Sequence, residues 1–201
     1  MKAFNGDKNV KEQVLQQIEQ AIRSQKINRR TSLIDALGLI DRSAFSMVFS
    51  EVADKLQIPV VLLHMQDAIF DGLSAGRAQN WYRELLSAIE PGADLTVATW
   101  KFAVWMENEV AALVANLPAD LDCQKRQALN SCASRVPQYI SSSCTQCETD
   151  AGGSAAASAV QYASFAFAYG SSAKLNSQAQ RTAQRAACER FATALISFIK
   201  P

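Results

Sequence analysis

The chain holds one histidine, eight glycines and five prolines in 201 residues. Each shortage excludes something. A lone imidazole cannot furnish the two or three histidines of most catalytic zinc sites. All-β folds need turn residues at short, regular intervals, so this little glycine and proline favours long helices. No apolar run approaches the ~18 residues that a bilayer-spanning helix requires, and no membrane association is expected. An excess of one charge is also missing. The 20 basic and 19 acidic side chains leave a formal net charge of +1, which predicts no nucleic-acid partner. A Gly-rich phosphate loop, a nucleophile elbow and a dinucleotide fingerprint are all absent, and no cofactor is expected. The opening Met1-Lys2-Ala3-Phe4-Asn5-Gly6-Asp7 is charged and carries no apolar core of a secretory signal. Five cysteines, an odd number without secretory context, read as reduced thiols in a cytoplasmic protein.

What is present is helical periodicity. Hydrophobic residues make up 49% of the chain and charged residues 19%, the balance of a globular protein. The expectation is all-α: one domain over 1–201, a compact multi-helix bundle of about eight or nine helices. Possible sub-regions are 1–118 and 119–201. Val10, Val14, Ile18 and Ala21 repeat at helical spacing after Asp7, a plausible N-cap. A polar, basic connection follows, with Arg23, Lys26, Arg29 and Arg30. Thr31 or Ser32 then caps a short helix from Leu33 to Ile40. Asp41 caps the next, through Phe45, Val48, Phe49, Val52 and Leu56. Pro59 suits a helix start, predicting a helix over 60–71 with Gly72 as its left-handed C-terminal stop. Residues 76–89 carry Trp81, Leu85, Leu86 and Ile89. Asp94 is placed to cap a helix over 95–115, which Pro118 ends. Asp120 caps 121–135, Pro137 opens a short helix to about Cys147, and the Ser/Thr/Gly-rich stretch 141–154 reads as a flexible loop. The last 51 residues contain 15 alanines. They predict an alanine-rich helical pair, 154–169 and 177–199, parted by Gly170-Ser171-Ser172. Small side chains on such a pair allow close helix approach.

Charge is unevenly spread. Residues 51–150 hold 7 basic and 13 acidic side chains, a net of −6, whereas 1–50 and 151–201 come to +3 and +4. An acidic centre between basic ends suggests self-complementarity or a basic partner; long solvated helices also produce such unevenness.

Two segments look familiar. Ile58-Pro59-Val60-Val61-Leu62-Leu63-His64-Met65-Gln66-Asp67-Ala68-Ile69-Phe70-Asp71-Gly72-Leu73 is the first. The second runs from Ala88-Ile89-Glu90-Pro91-Gly92-Ala93-Asp94 through Trp100 to Trp105. Together they resemble an uncharacterised bacterial helical protein family with "GIPxxLxxLEDxIFEGL" and "AIPxGADLSxVWxxFxxWLL" segments. The opening seven residues and the Ala/Ser-rich end are similar to that family too, so the likeness spans most of the chain with about forty motif-like residues. The resemblance implies a helical fold and names no reaction. One departure stands out. Relatives carry a Gly-Lys-Gly-Cys-x-x-Gly-Cys-type stretch before the Ile-Pro segment, and the region here, Asn28 to Gly38, has neither cysteine. The family's Glu-Asp pair is Gln66-Asp67 here, and its later Glu is Asp71.

Candidate chemistry is thin. Asp67 and Asp71 lie four apart on one helix and share a face. Two carboxylates there repel unless a cation or proton intervenes. With His64 and Asp94 they make a possible acid/base or divalent-metal group, although helix capping explains Asp71 and Asp94 more simply. His64 suits a general base by its pKa range, or else a hydrogen-bonded residue beside an apolar run. Cys144 and Cys147 have the spacing of a zinc half-site or redox pair, which Cys123 and Cys132 could complete. The set lacks a second tight pair, and free cysteine often serves as a small hydrophobe. Trp81, Trp100 and Trp105 cluster in sequence, and aromatic anchors are enriched in binding hot spots; ordinary core packing is the competing account. The expectation that follows is a non-enzymatic helical interaction module, binding an unknown protein or itself, of the kind that mobile-element accessory genes encode. The alternative is a small hydrolase or metal-binding protein using His64, Asp67, Asp71 and Asp94.

Overall fold

A computed structural model describes residues 1–27, 32–37, 49–117, 119, 121–171 and 177–200. The expectations for Arg29, Arg30, Thr31, Gly38, Asp41, Phe45, Val48, Pro118, Asp120 and Ser172 lie outside those residues. Among the described residues there are nine α-helices and no strand. They are α1 (Lys8–Arg23), α2 (Leu33–Ala36), α3 (Phe49–Leu56), α4 (Val60–Gly72), α5 (Ala75–Ala88), α6 (Leu95–Ala115), α7 (Cys123–Thr145), α8 (Asp150–Ser171) and α9 (Ser177–Ile199). The chain is an all-α multi-helix bundle. None of these helices is long and apolar enough to cross a membrane.

Local chemistry starts most of them. Asp7 caps α1 by accepting the Asn9 N–H at 2.8 Å. Ser32 and Asp35 close a reciprocal capping box on α2, which satisfies two N–H groups that a helix start leaves bare. Asp94 accepts the Thr96 N–H at 3.0 Å to start α6. For α7 the capping residue is Asp122, which accepts from Gln124 and Lys125. Ahead of α1, a turn over Ala3–Gly6 holds Phe4, Asn5 and Gly6 in the left-handed region, at φ 54, 56 and 73. Two backbone bonds fix it to the 91–94 turn: Ala3 N–H to Ala93 O, and Gly92 N–H to Ala3 O. Phe4 is thereby buried completely.

α4 is the central rod. Val60, Val61, Leu62, Leu63, Met65, Gln66, Ala68, Ile69 and Phe70 are all buried, so its apolar surface runs nearly all round, as expected of an interior helix. It packs on α3, α5, α8 and α9. Two glycines make that possible. A Cβ on Gly153 of α8 would lie 2.1 Å from His64 Cδ2, and one on Gly72 would lie 2.1 Å from Cys188 Sγ of α9. Gly72 is therefore inside α4 for close helix approach, and the expected left-handed stop is not there: its φ is not positive and Leu73 follows as the C-cap.

The C-terminal half differs from expectation in three further places. α7 continues through Pro137, and 141–154 is no flexible loop, since α7 persists to Thr145 and α8 begins at Asp150. Proline inside a helix costs about 3 kcal/mol through a lost hydrogen bond and a clash. Here α7 and α8 form a helical hairpin packed along its length. The burial of Leu129, Val136 and Ile140 against that hairpin offsets the cost, at roughly 1.5–3 kcal/mol per large side chain. Gly170 likewise lies within α8 and not in a linker, against Leu113 and Leu129. The alanine stripe Ala156, Ala159, Val160, Ala163 and Ala166 on α8 is fully buried. In α9 the buried seam is Ala187, Cys188, Phe191, Ala192, Leu195 and Ile199. Phe191 sits edge-on to Phe102, Trp105 and Phe167, with ring centroids 5.9–6.5 Å apart, tying α6, α8 and α9 together.

Candidate functional site

The four residues of the acidic group, His64, Asp67, Asp71 and Asp94, go to four places. Asp67 is held between α4, α2 and α5. Its Oδ1 accepts the Leu33 N–H at 3.2 Å, the Tyr82 hydroxyl at 3.1 Å and Gln66 Nε2 at 2.5 Å. Gln66 is itself wholly buried, and its Oε1 accepts Trp81 Nε1–H at 3.2 Å. A polar thread thus runs Trp81–Gln66–Asp67–Tyr82 through the apolar core, with Phe70 stacked on Tyr82 at 4.7 Å. Burial pushes the Asp67 carboxyl up to about 7, against the lowering effect of the three donors. The Tyr82 hydroxyl is raised by burial and by Asp67, so it stays protonated.

His64 points the other way. Its Nε2 lies 3.2 Å from Asp150 Oδ1 at the start of α8, and its ring lies 4.2 Å from that of Phe49. Ser50 Oγ donates to the other oxygen of Asp150 at 2.9 Å. Serine, aspartate and histidine are all present, but the aspartate sits between the other two. A nucleophile needs the imidazole on its hydroxyl, and here each is bonded to the carboxylate instead. Burial lowers the His64 pKa, which the hydrogen bond and charge of Asp150 partly oppose.

Asp71, near the end of α4, lines a cavity of about 370 Å³ between α4, α8 and α9 that neither His64 nor Asp67 lines. Burial raises its pKa, and its charge in turn adds to the rise at Asp67. Asp94 is an exposed N-cap. The Thr96 backbone N–H holds its carboxyl below the usual range. The candidate hydrolase or divalent-metal group is therefore not assembled. Among the described residues, no group of three or more His, Cys, Asp or Glu could hold a metal ion.

The cysteines do not converge either. Cys123, Cys132 and Cys144 lie along the single helix α7. Twenty-one residues at 1.5 Å each place Cys123 about 30 Å from Cys144, far beyond one coordination sphere. Cys147 follows in the α7–α8 turn, and all five cysteines are free thiols. The raised thiol pKa of Cys132 and Cys144, each caused first by burial, also disfavours a thiolate ligand. The tryptophans divide three ways. Trp81 is 0% exposed and belongs to the core thread, so it presents nothing to a partner. Trp105 is half-buried against Phe102, Phe191 and Phe198. Trp100 is half-buried and lines a second cavity, of about 350 Å³, with Pro59, Val60, Val61, Asp54 and Glu148. In the basic stretch, Arg23 is exposed and paired with Glu19 at 3.5 Å, one turn away.

Sequence reasoning missed several partners. Glu189 of α9 accepts both the N–H and the hydroxyl of Ser74, at 3.0 and 2.7 Å, and pairs with Arg77 at 3.1 Å. Burial of Glu189 raises its pKa, and those donors more than reverse the rise. Its signal was available: it is the only acidic residue after Asp150. Arg190 meets Glu109 and lies over the Trp105 and Phe167 rings. Comparison of the chain with protein-family models, curated proteins and solved structures finds no match.

Proposed function

We propose that this chain is a non-enzymatic helical interaction module, and that the outer face of α6 is its docking surface with a second copy of the chain as occupant. One observation carries the reading. α6 keeps apolar residues on its solvent side: Val97 is 57% exposed and Val104 is 53% exposed. At 100° per residue these two align with Ala111 and Ala115, also exposed, and the main polar interruptions are Lys101 and Asn108. Apolar side chains left in a row on the solvent side of a helix call for a neighbour there.

Self-complementarity supports a like partner. Two α6 helices crossing antiparallel about Val104 set Lys101 of each against Glu107 of the other. The small residues Ala111 and Ala115 let the backbones approach. Such a pairing is isologous, the commonest oligomer symmetry. The separation of His64, Asp67, Asp71 and Asp94 supports the non-enzymatic side of the reading. Sedimentation equilibrium across a hundredfold range of concentration tests it. A monomer–dimer equilibrium is expected for the parent chain, with Val104→Asp shifted to monomer at unchanged circular dichroism. A monomer throughout, or a dimer indifferent to Val104→Asp, overturns the reading.

A further inference from the structure

The junction of α7 and α8 carries two thiols that neither the α6 reading nor the core uses. Cys144 is the next-to-last residue of α7, and Cys147 lies three residues on, in the turn before α8. Both are free and exposed. The other cysteines are out of reach. At 1.5 Å per residue, Cys132 is about 18 Å from Cys144 along α7, and Cys188 is buried beneath Gly72 of α4. A zinc site would need at least one more donor beside the pair. Among the described residues no group of three or more His, Cys, Asp or Glu could supply it. What remains is the chemistry of two neighbouring thiols, which is exchange with a disulfide.

Closeness in sequence is not enough for a bond. In an unbroken helix, residues three apart hold their Cβ atoms about 5–6 Å apart, wider than the roughly 3.5–4.5 Å that a disulfide spans. Here α7 ends at Thr145, and Gln146 departs from it at φ −131 and ψ 32, which releases Cys147 from helical spacing. The turn also keeps Cys147 from straying. Thr149 donates its N–H and its hydroxyl to Gln146 O, at 3.0 and 2.9 Å, and its Oγ1 accepts the Gly152 N–H at 3.2 Å. The Gln146 carbonyl sits so close to α8 that a Cβ on Gly152 would collide with it. Gln146 and Thr149 are thus fixed on either side of Cys147. The two sulfurs are near enough that the charge of Cys147 adds to the rise that burial causes in the Cys144 pKa. A bond between them removes that repulsion.

We propose that Cys144 and Cys147 are a reversible dithiol–disulfide pair, oxidised by small thiol disulfides of the glutathione class. The Cys147 thiolate attacks one sulfur of glutathione disulfide. That S–S bond breaks, one glutathione leaves, and the other stays bonded to Cys147 Sγ. The Cys144 thiolate then attacks Cys147 Sγ, and the second glutathione leaves as the protein bond closes. Two protein thiols are oxidised, one glutathione disulfide is reduced to two glutathiones, and these carry off the two thiol protons. The second step is intramolecular, so it outruns attack by a thiol from solution. Burial disfavours the Cys144 thiolate. The reduced pair therefore lacks the stabilisation that makes a dithiol a strong oxidant, and the chain receives oxidation instead of passing it on. Cys147 also lines the cavity beside Trp100, which places the bond at that wall.

The test is incubation of the reduced full chain in glutathione buffers of graded oxidised-to-reduced ratio, followed by acid quench, thiol blocking and peptide mass mapping. In the parent chain, the peptide holding Cys144 and Cys147 is expected two hydrogen masses lighter, and an excess of reduced glutathione should reverse the change. Cys144→Ser and Cys147→Ser should each stop at a mixed disulfide on the remaining cysteine of the pair, with at least tenfold more of it than the parent retains there. Cys123→Ser and Cys132→Ser should leave the internal bond in place. Circular dichroism checks that the variants keep the parent's helix content, and the parent's own products decide the matter if one does not. A parent that accumulates glutathione on Cys144 or Cys147 without the internal bond overturns the proposal. So does a pair that stays reduced in fully oxidised glutathione, or one that links to a second chain instead. The products are read from peptides, so a monomeric or dimeric result for α6 has no bearing on them.

Discussion

Asp67 Oδ1 accepts three hydrogen bonds, and still its carboxyl pKa is raised from 3.8 to about 7 by burial. The folded chain therefore holds this proton more tightly than the unfolded chain does. Below about pH 4 the group is neutral in both states and costs nothing. As pH rises from there through 7, the unfolded state releases its proton first, and stability falls. Asp67→Asn keeps an acceptor for Leu33, Gln66 and Tyr82 and cannot ionise. It is expected to raise stability at pH 8 by roughly 1–3 kcal/mol and to change little at pH 4, measured by urea unfolding at both values. A loss of stability at pH 8 would show that the charge is required. His64 carries the opposite sign. Its depressed pKa means that stability is full above about 6.5 and declines as pH falls through the folded value. His64→Gln should therefore flatten the acid limb of the profile that Asp67→Asn leaves behind. Of this pair, the sequence disclosed the shared helix but not the facing. Residues three apart can flank one stripe or straddle two interfaces, and Gly153 and Asp150, which draw His64 to α8, lie more than eighty residues away.

At the scale of elements, helix starts were legible wherever the cap is local. Asp7, Ser32 and Asp94 all sit just before the helix that they serve. α5 is different. Ser74 occupies its N-cap position, but its side chain makes no capping bond within α5; Glu189 of α9 supplies the missing acceptor and carries Arg77 with it. A cap provided from 115 residues away leaves no mark in the local sequence. Glu189→Ala removes the acceptor for two Ser74 groups and the nearer of the two carboxylates of Arg77, which keeps Glu84 and Thr193. A loss of about 2 kcal/mol is expected, with Glu189→Gln recovering part of it, as read by chemical unfolding. α7 erred for the opposite reason. Pro137 and the serines after it are strong local breakers, and long-range packing against α8 overrode them. Pro137→Ala restores a backbone donor without disturbing that interface, so it should stabilise the chain by roughly 1–3 kcal/mol. A destabilised variant would mean that the proline bend is needed to fit α8.

The whole molecule is held by contacts that run between its ends. The first residues hydrogen-bond to the 91–94 turn, α1 packs on α5, α5 on α9, and α4 touches both α3 and α9. With α4 as a shared centre, neither 1–118 nor 119–201 has a core that excludes the other. Unfolding should accordingly be a single transition. The cysteines make this measurable without any substitution. Cys123, Cys144 and Cys147 are exposed, Cys132 is half-buried, and Cys188 is 2% exposed beneath Gly72. With a thiol-specific reagent in native buffer, three thiols should label at once, Cys132 more slowly, and Cys188 only when α4 and α9 separate. If that separation requires global unfolding, the Cys188 labelling rate will follow the equilibrium population of the unfolded chain as urea is raised. If α8 and α9 peel away as a unit, Cys188 will label well below the main transition, and the chain will have shown two cooperative parts where the packing calls for one.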